Sequence, residues 1–176
     1  MGKLKELYSS KLINERVIEL GRQISKDFYD LENPVIIGVM KGAVCFLTDL
    51  MRSLNTRDPW QLEFVRLSSY GSAKESSGVV QTPYLDLPNL YQRNILVVED
   101  IIDSGRTAHF FLNYLSEQYN PNVLKIATFL NKPSRRVLEL EPDYVGYTID
   151  DLFVLGYGLD LVEKYREIPY LALYEE

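Results

Sequence analysis

The chain has 176 residues, 46% of them hydrophobic and 25% charged, a composition that suits one domain with a real core. Its formal net charge of −6 and pI near 4.9 argue against a broad nucleic-acid-binding face, although a few local cations can still serve an anionic ligand inside a cleft. No apolar run approaches the about 18 residues of a membrane span, and Met1 to Glu6 lacks the apolar stretch of a secretory signal. A single cysteine, Cys45, cannot form an internal disulfide. The expectation is a cytoplasmic protein of one domain, residues 1–176, with Cys45 as a small buried core residue.

Lys11 to Asp30 carries Ile13, Val17, Leu20, Ile24 and Phe28 at helical spacing and predicts an amphipathic helix. Asn33-Pro34 breaks it, and Val35 to Met40 reads as a strand buried on both faces. Lys41-Gly42 then opens a second helix, Ala43 to Leu54. Leu62 to Leu67 is extended, and the polar, serine-rich stretch Gly71 to Gln81 reads as a mobile loop. Asn94 to Val98 predicts the central strand, ended by Glu99 and Asp100. Thr107 to Tyr119 is helical and Val123 to Leu130 extended. Beyond Pro133, short strands at Tyr144–Thr148 and Phe153–Leu155 suggest a small appended lobe. Strands separated by helices predict an α/β fold with a mainly parallel sheet, whose ligands bind beyond the carboxyl ends of the strands.

The chemistry concentrates in Ile95 to Thr107, Ile-Leu-Val-Val-Glu-Asp-Ile-Ile-Asp-Ser-Gly-Arg-Thr. A Gly/Ser/Thr turn between strand and helix aims backbone N–H groups and the positive end of a helix dipole at one point, where a phosphate can sit. Carboxylates beside such a cradle repel the ligand unless they serve sugar hydroxyls, Mg2+ or a proton to be removed. An Asp-Ser-Gly by itself is more often an ordinary helix cap, with the acids as solvated strand-end residues. Lys41-Gly42 offers a cation and an accessible backbone N–H after a buried strand, but without nucleotide P-loop spacing. His109, the only histidine, falls inside the helix after the turn and reads as structural.

Val97 to Thr107 resembles the phosphoribosyl pyrophosphate signature of the type I phosphoribosyltransferases, and Glu-Asp-Ile-Ile-Asp is the spelling typical of the hypoxanthine-guanine branch. The resemblance runs from Val35 to Arg166. It implies the type I phosphoribosyltransferase fold and transfer of phosphoribosyl to a 6-oxopurine, hypoxanthine and guanine, giving IMP or GMP and pyrophosphate in purine salvage. The N- and C-terminal segments would form a purine-binding hood. Ser104 stands where Thr is usual and keeps the hydroxyl; Ser104, Gly105, Arg106 and Thr107 would bind the 5′-phosphate. Glu99 and Asp100 would hold the ribose hydroxyls, partly through Mg2+, and Asp103 would take or share the N7 proton of the purine. Lys41 and Gly42 match the pyrophosphate loop, where the peptide before the lysine tends to be cis, although Met40 stands where Leu is commoner. Arg166 matches a late arginine on pyrophosphate, and Asp160 the ligand of a second Mg2+, reached through water.

Ser69 and Tyr70 resemble a lid that closes over the reacting centre. Tyr84-Leu85-Asp86 replaces a Lys-Asp pair of bacterial relatives at the far end of that loop. Lys132 would donate to the purine 6-oxo group and so reject adenine, Phe153 would stack on the base, and backbone carbonyls near Val154 and Asp160 would accept from a 2-amino group. Relatives form homodimers or homotetramers. Two rivals stand beside this reading: a xanthine-guanine phosphoribosyltransferase, and a phosphoribosyltransferase-fold regulator that binds nucleic acid. The acidic pI and the ordered set Lys132, Phe153 and Asp160 favour an enzyme with neither nucleic-acid nor membrane partners.

Overall fold

The computed structural model describes residues 3–67 and 85–175. In chain order the elements are β1 (Lys3–Tyr8), α1 (Ser10–Phe28), β2 (Pro34–Met40), α2 (Val44–Ser53), β3 (Gln61–Arg66), β4 (Asn94–Ile102), α3 (Arg106–Tyr119), β5 (Val123–Asn131), β6 (Tyr144–Thr148), β7 (Val154–Leu155) and β8 (Leu171–Glu175). A single 3-10 turn, Pro133–Arg135, follows β5. The expected lid residues Ser69 and Tyr70, the loop Gly71 to Gln81 and Tyr84 lie outside the described residues.

Five strands form a parallel sheet in the order β3-β2-β4-β5-β6. The inner strands β2 and β4 (as far as Val98) are apolar on both faces, and alternation sorts the side chains of the sheet into two cores. Ile36, Leu96, Val98, Ala127 and Phe129 face α1 and α2, meeting Ile13, Val17, Leu20, Ile24 and Phe28 along the first helix and Phe46, Leu47 and Leu50 along the second. Val35, Ile37, Ile95, Val97 and Ile126 face the other way and pack on Ala108, Phe111 and Leu115 of α3. The apolar stripe of α1 is therefore buried as its spacing predicts. Ser9 caps that helix by accepting from the Leu12 N–H at 3.3 Å.

One difference from the sequence reading, and the make-up of the appended lobe, matter for function. The central strand does not stop at the acids: β4 continues through Glu99 and Asp100 to Ile102, held by parallel pairing with β5 as far as Ile102 opposite Asn131. Ladder bonds on one side suffice to keep a strand extended past charged residues. The appended lobe also uses both chain ends. Strand β1 pairs antiparallel with β8, which pairs with β7, making a separate three-stranded sheet.

Candidate active site

The ladder register creates the site. Strand β2 stays paired with β3 to Met40 opposite Arg66, but with β4 only to Gly38 opposite Val98. Beyond that point β2 and β4 separate. Helix α2 carries the chain from β2 outward to β3 on one face, and α3 carries it from β4 to β5 on the other. The opening is thus the reversal point of the strand order, where open α/β sheets bind ligands. It holds a cavity of about 490 Å³ lined by Lys41, Glu99, Asp100, Thr107, Asp160 and Arg166, among others.

Close approach fixes the loop after β2. The Met40–Lys41 peptide is cis, and a side chain at Gly42 would run into the Asp100 carboxylate. Gly158, at φ +98°, has no room for a Cβ because the Gly42 carbonyl lies against it. Only glycine fits both positions. Three segments distant in sequence therefore meet at Gly42: the end of β2, the acid pair of β4 and the chain after β7.

Glu99 is 6% exposed, and burial pushes its carboxyl well above the usual carboxylate range, with the neighbouring Asp100 charge adding to the effect. Asp100 is pushed up to about 6, first by burial and then by Asp160; the Ile101 N–H and Arg166 act in the opposite direction. The Ile101 N–H donates to Asp100 Oδ1 at 2.7 Å. Asp160 is already engaged, with Oδ1 2.8 Å from Arg166 Nη2 and Oδ2 accepting from the Glu163 N–H at 2.8 Å. Among the described residues no three His, Cys, Asp or Glu side chains converge as a ready metal cage. Hard carboxylate oxygens in ones and twos lining the cavity fit Mg2+, which binds through one or two carboxylates plus water and substrate phosphates.

The turn after β4 is not an Asp- or Ser-capped helix start. Gly105 occupies the N-cap of α3 at φ +81°, with no side chain bonding the first turn in the capping manner. The Ser104 hydroxyl accepts from the Arg106 N–H at a long 3.4 Å, and the Ser104 carbonyl accepts from the Val137 N–H at 3.1 Å. No side chain caps the Thr107 and Ala108 N–H groups, which open the helix with its dipole behind them. Asp103 is not among the residues that line that cavity. Its Oδ1 lies 2.8 Å from Arg135 Nε, and Arg135 Nη1 donates to Asp151 Oδ2 at 2.9 Å.

Lys132, 8% exposed, donates from Nζ to the Leu152 carbonyl at 2.6 Å and lies 3.8 Å from Asp151 Oδ1. Phe153 is half exposed and meets Tyr174 edge-on at 6.2 Å. The Val154 side chain is buried in the α1–α2 core, so what Val154 offers a ligand is its backbone. His109 sits within α3 beside Asn113, 3.2 Å away. Cys45 is half-buried, not fully in the core; burial and then Asp49 push its thiol pKa up. It lines a second cleft of about 410 Å³ on the far side of Gly42, with none of the expected site residues.

Sequence reasoning missed Glu163, Arg66, Arg135 and Asp151. Glu163 and Arg66 line the main cavity, while Arg135 and Asp151 link Asp103 to Lys132. A basic pair, Arg135-Arg136, just after Lys132 was the one available signal.

Fold and site together define an α/β protein of the phosphoribosyltransferase class. A model of the phosphoribosyl transferase domain matches residues 3–161. A hypoxanthine-guanine phosphoribosyltransferase of Dictyostelium discoideum is 41% identical over 172 residues, covering 97% of this chain and 94% of that protein. One from Streptococcus pyogenes is 41% identical over 175 residues, with 98% and 93% coverage. A crystal structure of a hypoxanthine-guanine phosphoribosyltransferase from Bacillus anthracis superposes with a TM-score of 0.85 at 40% identity, covering 97% of this chain and 99% of that one. The chain belongs to the phosphoribosyltransferase family, in its hypoxanthine-guanine branch.

Proposed function

We propose that this protein is a purine-salvage enzyme that transfers 5-phosphoribosyl from phosphoribosyl pyrophosphate to hypoxanthine and guanine, giving IMP or GMP and pyrophosphate. The observation that carries the reading is one cleft in which Lys41 and Arg166 stand beside the buried Glu99, the half-buried Asp100 and the start of α3. Cations for a pyrophosphate, acids for sugar hydroxyls and backbone donors for a monophosphate are what phosphoribosyl pyrophosphate requires in that order.

In this reading Ser104 to Thr107 hold the 5′-phosphate through backbone N–H and hydroxyl groups. Glu99 and Asp100 accept from the ribose hydroxyls and fix the sugar. Lys41, the Gly42 backbone and Arg166 hold the pyrophosphate as it leaves, Arg166 through its planar fork. Departure runs ahead of attack, so the ribose becomes oxocarbenium-like, as in other glycosyl transfers. Asp103 takes or shares the N7 proton of the purine while N9 attacks. Lys132, fixed by the Leu152 carbonyl, donates to the 6-oxo group, and an adenine amine there would face a donor. Phe153 stacks on the base, and carbonyls near Val154 and Asp160 accept from a 2-amino group. The sheet β1-β8-β7 forms the hood, and Ser69 and Tyr70 belong to the lid. Asp100 and Glu99, and Asp160 through water, would hold Mg2+, whose charge offsets that of the leaving group. A cytoplasmic homodimer or homotetramer completes the reading.

The test is a turnover assay with Mg2+, phosphoribosyl pyrophosphate and, separately, hypoxanthine, guanine, xanthine and adenine. Turnover of hypoxanthine and guanine with adenine excluded is expected. Preference for xanthine, or no turnover with any base, contradicts the assignment.

A further inference from the structure

The chain after β7 turns twice in quick succession. Gly156 and Leu159 exchange backbone hydrogen bonds around Tyr157-Gly158, and Leu161 and Lys164 do so around Val162-Glu163, each at 3.1 Å. In both turns the two central residues have positive φ. Such turns favour Asn-Gly or Asp-Gly, and the first has a glycine. The second does not: Val162 at φ +51° and Glu163 at φ +62° are both poor residues for that conformation, the β-branched valine especially. Val162 is also 82% exposed, so no packing at the apex explains its choice. An observed backbone outlier of this kind is a pointer to function.

The turn aims Glu163 back into the cleft. One oxygen, Oε2, accepts from Lys41 Nζ at 2.7 Å and lies 3.3 Å from Arg166 Nη2, while the Glu163 N–H is anchored on Asp160 Oδ2 at 2.8 Å. Lys41 and Arg166 come from opposite sides of the opening, one after β2 and the other after β7. A single carboxylate oxygen thus joins the two cations to which the proposed function gives pyrophosphate, in the manner of a phosphate oxygen.

We propose that Glu163 is an anionic placeholder for pyrophosphate. It holds Lys41 and Arg166 in the ligand-free cleft, gives them up when the diphosphate arrives, and reclaims them as the product leaves. This inference rests on the assignment of Lys41 and Arg166 to pyrophosphate. Its consequence is competitive. Glu163 weakens pyrophosphate binding and speeds its loss, and a negative charge left between the cations would oppose the ligand. The strained turn suits a residue that must move, because among the described residues nothing packs on Val162 at its apex. The alternative is that Glu163 orders the two cations for the ligand, in which case its removal weakens binding.

The experiment measures binding of inorganic pyrophosphate with Mg2+ to the whole protein by titration calorimetry, for the wild type, Glu163→Gln, Lys41→Gln and the double variant, with melting curves confirming that each is folded. Glu163→Gln is expected to tighten pyrophosphate by about two- to tenfold, the range that two half-exposed ion pairs support. In steady state it should lower the inhibition constant for product pyrophosphate while leaving the KM for the purine unchanged. The gain should shrink in the Lys41→Gln background. Unchanged or weaker pyrophosphate binding in Glu163→Gln, with Lys41→Gln still weakened, overturns the placeholder alone. Loss of nothing in Lys41→Gln overturns the assignment on which it rests.

Discussion

The two ends of the proposed site are built from the same materials and behave differently. At both, each cation has an acid close by: Lys41 and Arg166 with Glu163 and Asp160 at one end, Arg135 and Lys132 with Asp103 and Asp151 at the other. At the first end Lys41 and Glu163 are about half exposed, and their contact joins two loops. Such pairs are weak and screened, and rearrange when a stronger anion competes. At the second end Lys132 is nearly buried, and its ammonium is tied to a backbone carbonyl at the close of a strand-fixed segment. In the proposed reading, diphosphate recognition is therefore adjustable and base recognition is held in place. A leaving group must come and go with charge compensation at each step, whereas discrimination among bases needs a donor that does not move.

The largest effect that would test this contrast is on Asp103. Asp103→Asn should reduce kcat by about 10²–10⁴, the usual worth of a general base, with an unchanged melting temperature because its carboxylate pairs with the half-exposed Arg135. Near-normal turnover would remove Asp103 from that role. Lys132→Ala comes next. It should lower kcat/KM for hypoxanthine by about 10- to 100-fold, as expected for a lost hydrogen bond to a charged donor, and weaken phosphoribosyl pyrophosphate binding far less. Equal losses for both substrates, measured by initial rates, would break the division between the two ends.

Legibility followed the same divide. The phosphate turn and acid pair are contiguous, so Ile95 to Thr107 carried both strand-to-helix geometry and chemistry in a single stretch. The α1 stripe and the two-faced β2 were equally readable because their periods are local. The continuation of β4 to Ile102 was not, since it depends on pairing with β5, and acids in a sequence read as a strand end. The β1–β8 pairing joins residues at opposite ends of the chain, and Lys3 to Tyr8 is too charged to signal a strand. Glu163 was invisible for a related reason: its partners lie on Lys41 and Arg166, brought together only by two tight turns. The Gly42 constraint likewise arises from Asp100, far away in sequence.

That constraint gives a smaller prediction on the adjustable end. Gly42→Ala should destabilise the protein by about 1–3 kcal/mol, the cost of overpacking, because its methyl group meets the Asp100 carboxylate, which the Ile101 N–H holds in place. Urea unfolding would measure it, and Gly42→Ala combined with Asp100→Ala should recover part of the loss. Failure to recover any would place the strain elsewhere.

The most direct measurement concerns Asp100, because the account holds that its buried charge is kept for ligand and metal at the expense of the ligand-free fold. A carboxyl raised to about 6 in the folded state holds its proton longer than in the unfolded chain. Between its ordinary range and pH 6 the folded state binds more protons, so stability falls as pH rises through that window and the full penalty is present above it. Asp100→Asn should therefore stabilise the ligand-free protein at pH 7 by up to about 3 kcal/mol, with most of the advantage gone near pH 4. Melting curves across this pH range, with and without Mg2+ and phosphoribosyl pyrophosphate, test both halves. Ligand-free Asp100→Asn should melt at a higher temperature than the wild type at pH 7 and lose the rise that the ligand gives the wild type. A variant that melts lower than the wild type at pH 7 and keeps the full ligand-induced rise would contradict it.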